Sequence, residues 1–171
     1  MAAPPIGPPR SSSATLLGGL FGGILGTSGM ILVGLGAEST TGLSFNRLLP
    51  ELELGFGGPI AGAGVLGSSF TLPIHYLHGI VLGLLFAGIW LLGERWALLP
   101  PIPVWASGMV FGAVVSAFVL GLLAGTVGDL LTPGVAGLVF LLHLTFGGLT
   151  GAAVQQFRRG SPPRAGWAPP A

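Results

Sequence analysis

Four stretches of this chain, Ala14 to Ala37, Ser69 to Leu92, Val104 to Val127 and Gly134 to Phe157, each run 24 residues without an Asp, Glu, Lys or Arg. About 20 apolar residues suffice for a helix to cross the roughly 30 Å hydrocarbon layer of a bilayer. No water is present at that depth to satisfy backbone N–H and C=O groups, so runs of this length must be helices rather than open strands. The expected fold is all-α, a polytopic membrane four-helix bundle. Only 6% of the residues are charged, against roughly 25% in soluble domains, and the mean hydropathy is +0.87.

The same composition narrows function. With no cysteine, disulfides, zinc-thiolate sites, iron–sulfur clusters and cysteine nucleophiles are excluded. A net charge of +1 offers no basic field for nucleic acid. All six basic residues are Arg, which together with the Gly, Ala and Pro excess points to a GC-rich prokaryotic genome. The first span is too long for the roughly 7–15-residue core of a cleavable signal and has only Arg10 before it, so it reads as helix 1. Residues 1–13 and 158–171 are rich in Pro, Gly and Ser and are expected to be flexible tails around a 14–157 membrane domain.

Arginine placement sets the orientation. Arg10, Arg95, Arg158, Arg159 and Arg164 fall on one side of the four spans, and only Arg47 on the other, beside Glu38, Glu51 and Glu53. The positive-inside rule makes the arginine-rich side cytoplasmic, with both termini there, in the cell (inner) membrane. Trp90, Trp96 and Trp105 around the proline-rich turn between helices 2 and 3 suit an interfacial depth.

Residues 75–83 read HYLHGIVLG and residues 143–151 read HLTFGGLTG, so His75, Gly79 and Gly83 align with His143, Gly147 and Gly151. GLFGG at 19–23 likewise resembles GMVFG at 108–112. The chain therefore reads as two repeated helical hairpins, related by an axis along the membrane normal. The glycine pairs Gly19 and Gly23, Gly79 and Gly83, Gly108 and Gly112, and Gly147 and Gly151, with Gly18, Gly22 and Gly26, have the four-residue spacing that lets helix backbones approach closely. In the long first outer loop, Phe45, Leu48, Leu49 and Leu52 are spaced for a short amphipathic segment lying on the outer membrane surface. Residues 59–68 either extend helix 2 or lie at the interface.

The repeated His-x-x-x-Gly elements, the His-Tyr and His-Leu starts, the glycine-rich helices 1 and 3 and the amphipathic first loop resemble an uncharacterised family of small four-helix prokaryotic membrane proteins. In that family a His-Phe-x-x-Gly segment and a His-Leu-x-Tyr-Gly segment occupy helices 2 and 4; here the second tyrosine position is Phe146, which lacks the hydroxyl. The resemblance covers most of residues 14–157 and implies the fold. No activity is assigned to the family, so it implies no mechanism.

His75 and His143 could share a level in the outer half of the bilayer, and ionisable groups at such depth are candidates for function. Three uses compete. Each neutral imidazole can hydrogen-bond a carbonyl or hydroxyl on a neighbouring helix, with Thr27, Ser28 and Ser116 available, and so hold the repeats in register. The pair can ligate a b-type haem as a bis-His site, although no arginines near that depth would bind its propionates. Finally, His75 and His143, with His78 one turn further in, can mark a polar point on a pathway for a proton or solute. No cofactor is otherwise implied. Carboxylates lie only in loops, and no acidic group or oxyanion element accompanies Ser68 and Ser69, which argues against an enzyme. GTVGDLLTPG is a turn, with Asp129 or Thr132 capping helix 4. The expected function is that of a structural or accessory subunit in the lipid bilayer, as a homo-oligomer or beside a larger complex; a small transporter or channel is the alternative.

Cysteine introduced at Ser12 or Ser161 is expected to resist an impermeant thiol reagent in intact cells, whereas one at Ser44 should react. The opposite labelling pattern would reverse the topology.

Overall fold

Each charge-free run is a helix in the computed structural model, which describes residues 11–41, 68–96, 98, 102–126 and 131–161. The helices are α1 (Ser12–Thr41), α2 (Ser68–Arg95), α3 (Val104–Thr126) and α4 (Pro133–Arg159). All four are long and apolar enough to span a membrane, and no strand occurs among the described residues. The protein is an all-α, multi-pass membrane four-helix bundle. The expected amphipathic segment, residues 59–67 and Asp129 lie outside the described residues.

Three helices, α1, α2 and α4, run a little past their apolar windows. At the start of α4, Thr132 takes an extended conformation (φ −66°, ψ 158°) and its hydroxyl accepts from the Val135 N–H, with Pro133 in the first helical position. At its end the helix continues through Arg158 and Arg159, the first residues of the expected C-terminal tail, and the Gly160 N–H closes on the Gln156 carbonyl at 3.1 Å. The side chain that carries this extension is Arg158, which is buried.

Packing follows a chain of neighbours in which α2 lies on α1, α1 on α4, and α4 on α3, while α2 barely touches α4. All three contacts are antiparallel. On α1, Gly19 and Gly23 meet Gly83 and Gly79 of α2, and Gly18, Gly22 and Gly26 meet Val154, Thr150 and Phe146 of α4. On α3, Gly108 and Gly112 meet the Gly147 and His143 carbonyls of α4. The approach is so close that a Cβ on Gly22 would stand 2.9 Å from the Thr150 carbonyl, inside van der Waals contact. Across that same contact the Thr150 hydroxyl donates to the Gly22 carbonyl at 3.1 Å, fully buried.

No such seam joins α2 to α3. Their described contact is aromatic, with the Phe86 and Phe111 rings 5.4 Å apart. Two apolar groups fill the interior, one of Met30, Leu138, Leu142 and Phe146 with Leu82 packed against it, the other of Phe86, Ala87, Trp90 and Val154. The outward faces are apolar as lipid requires, with Leu32, Phe118 and Val114 among the most exposed side chains.

Gly147→Ala places a methyl against the Gly108 carbonyl and is expected to lower stability by about 1–3 kcal/mol, the cost of overpacking. Gly121→Ala meets nothing within 4 Å among the described residues and should be neutral or stabilising by up to about 1 kcal/mol. Unfolding titrations with dodecyl sulfate in mixed micelles check the contrast.

Candidate functional site

Apart from Thr150 in the α1–α4 seam, polar side chains inside the bundle gather at two levels. The first is the half of the bundle where α2 and α4 begin. His78 and His143 each come within electrostatic reach of His75 there, His75 and His143 partly buried and His78 exposed. The His143 carbonyl stands against Gly112 of α3 as the Gly79 carbonyl stands against Gly23 of α1.

The expected partners are also engaged differently. His143 Nδ1 bonds the Val139 carbonyl of its own helix at 2.7 Å. The Thr27 hydroxyl donates to Gly23 on its own helix at 2.9 Å, and Ser28 reaches across to the Tyr76 hydroxyl of α2 at 2.9 Å. Ser116 is fully buried, and its hydroxyl has no partner among the described residues. A link from the His75 or His143 ring to a neighbouring helix is therefore not among the described hydrogen bonds; Ser28 and Tyr76 make that link between α1 and α2.

A bis-His haem would need a plate-shaped slot between α2 and α4. Leu82 of α2 instead packs against the buried group that Met30 of α1 forms with Leu138, Leu142 and Phe146 of α4, so the residues present do not fit a haem. Among the described residues no cluster of three or more His, Asp or Glu is placed to hold a metal ion.

The second level lies at the opposite end, where α2 and α4 finish and α1 begins. Arg158 forms a two-pronged ion pair with Glu94: Nη1 donates to Oε2 at 2.9 Å and Nη2 donates to Oε1. Nη1 also donates to the Thr15 hydroxyl at 3.1 Å, which in turn donates to the Ser11 carbonyl. The guanidinium carbon lies 5.9 Å from the centre of the Trp90 ring, within cation–π range. The Arg158 side chain is 11% exposed and Glu94 32% exposed, so the pair sits at a half-wet rim rather than in the dry interior. Three helices converge on one guanidinium, α1 through Thr15, α2 through Glu94 and Trp90, and α4 through Arg158 itself.

Sequence reasoning missed this cluster because it placed Arg158 in a tail and Glu94 in a loop. One signal was present: Glu94 is the only acidic residue on the side that carries five arginines. Comparison with known proteins finds no matching family model, no matching curated protein and no matching solved structure.

The Val139 carbonyl keeps its place in the helix ladder when the imidazole is removed. His143→Ala is accordingly expected to change stability by less than about 1 kcal/mol, with His143→Gln no better than Ala. If Gln recovers a clear loss caused by Ala, His143 holds a neighbouring helix after all.

Proposed function

We propose that this chain is a non-enzymatic integral membrane protein acting as a structural or accessory subunit, either as a homo-oligomer or beside a larger membrane complex. Its setting is the cell (inner) membrane with both termini cytoplasmic, so that the Glu94–Arg158 end is the inner end. The reading rests on one observation. The histidines at one level and the ion pair at the other are separated by packed apolar side chains, from Met30, Leu82 and Phe146 to Phe86, Phe111 and Trp90, and the one buried hydroxyl described between them, that of Thr150, is taken up by the Gly22 carbonyl. A transporter or channel needs a polar route through that zone, and an enzyme needs a reactive set within one cavity; a filled interior suits a protein whose work is done by its surfaces.

The internal repeat belongs to the same reading. Two hairpins built on corresponding glycine positions, Gly19 and Gly23 in one and Gly108 and Gly112 in the other, suit duplication of a small two-helix unit and membership of the four-helix family that the sequence resembles. The second reading, a small transporter with a His-lined polar point, draws on the gathering of His75, His78 and His143 in one half of the bundle.

Purification in a mild detergent is expected to yield a defined assembly larger than one chain, and a monomer at all concentrations would overturn the primary reading. Solute or proton flux in liposomes that is lost on changing His75 and His143 to Ala would establish the second in its place.

A further inference from the structure

We propose that the Glu94–Arg158 pair is a latch between the two hairpins, holding α2 closed over Val154 at one end of the bundle and, when broken, letting α2 swing on its α1 seam away from α4. The latch does not depend on whether the chain has a partner.

The attachments of α2 are lopsided. Along α1 it is held by the close backbone contacts at Gly79 and Gly83 and by the Tyr76–Ser28 hydrogen bond. Towards the other hairpin it has the Phe86–Phe111 ring contact, the packing of Phe86, Ala87 and Trp90 on Val154, the Trp90–Arg158 cation–π contact and the ion pair. Apolar packing between helices gains little from lipid exclusion, because lipid tails are as apolar as the side chains they replace. The charge-assisted, two-pronged bond is thus the strongest single tie between α2 and α4. A helix held firmly along one edge and tied on the other mainly through a single guanidinium is hinged.

Opening leaves few groups worse off. Thr15 belongs to α1, which keeps its own seam with α4, so Arg158 retains that hydroxyl while Glu94, already 32% exposed, turns to water. The Trp90 indole N–H is buried without a partner among the described residues in the closed form, a cost that hydration on opening relieves. The apolar surface uncovered is centred on Val154, which is fully buried one turn before Arg158.

The chain has no native cysteine, so a single thiol reports cleanly. With Glu94 and Arg158 intact, Val154→Cys in proteoliposomes permeable at the Arg158 end should react slowly with an impermeant charged thiol reagent. Adding Glu94→Gln should raise that rate at least tenfold, and the reversed pair Glu94→Arg with Arg158→Glu should restore the slow rate. A thiol at Ser116, buried in the α3–α4 seam, should stay protected throughout. Equal Val154→Cys rates with and without Glu94→Gln would overturn the latch, as would a Ser116→Cys that becomes reactive alongside it, since that means general loosening. If Glu94→Gln does not fold, Glu94→Asp, which keeps the charge on a shorter arm, should give an intermediate rate, and an unchanged rate there would overturn the proposal equally.

Discussion

Everything in this bundle depends on how closely α1 lets two neighbours approach. Helices in lipid gain no association energy from expelling water, so contact comes from dispersion between surfaces near enough to touch and from the few hydrogen bonds that can cross. On α1 two glycine rows stand side by side, Gly18, Gly22 and Gly26 facing α4 and Gly19 and Gly23 facing α2. Adjacent residues on an α-helix point about 100° apart, so the two neighbours meet α1 at about a right angle. On α4 the same step recurs: Phe146, Thr150 and Val154 face α1, while Gly147 and Gly151 face α3. Two right-angled corners in succession bring α2 and α3 round to the fourth side of a square.

That fourth side is the odd one, and the reason is a substitution of bulk. Hairpin one places Gly19 against the Gly83 carbonyl and Gly23 against that of Gly79; hairpin two places Gly108 against Gly147 and Gly112 against His143. Matching the hairpins by these contacts puts Phe111 where hairpin one has Gly22, and Phe86 where hairpin two has Thr150. The Gly22–Thr150 contact between α1 and α4, with its buried hydrogen bond, is thereby repeated between α3 and α2 as a pair of tilted rings. A glycine facing a threonine lets backbones touch. Two phenylalanines hold them apart.

How far the sequence could be read follows from the range of each interaction. Helix number and type were legible because the membrane imposes its length on any apolar run, and Thr132 was legible as a cap because capping is local to the first turn of α4. Glycines at four-residue spacing line the close contacts, but nothing in the spacing says that Gly18 and Gly19 serve different neighbours. The histidines were visible as unusual residues, whereas their bonding was not: spacing cannot show that His143 turns its Nδ1 back to Val139. Arg158 was least legible. Its surroundings have the composition of a tail, and its partners Thr15 and Glu94 lie 143 and 64 residues away in the chain.

The ion pair also shows that the hairpins do not pack in the register in which they align as sequences. Laying His75 on His143 equates Gly83 with Gly151, and in that register Arg158 would stand level with Trp90. The observed packing equates Gly83 with Gly147, one helical turn away. Glu94 and Arg158 are each eleven residues beyond those glycines, so they reach the same level on two helices that descend side by side, with opposite charge at equivalent positions. Shifting either hairpin back by a turn, about 5.4 Å, would separate them beyond contact and bring the guanidinium level with an indole alone. A two-pronged bond between charged groups is roughly twice as strong as a neutral hydrogen bond, and only the observed register makes it, so the pair favours the packing in which Arg158 meets Glu94.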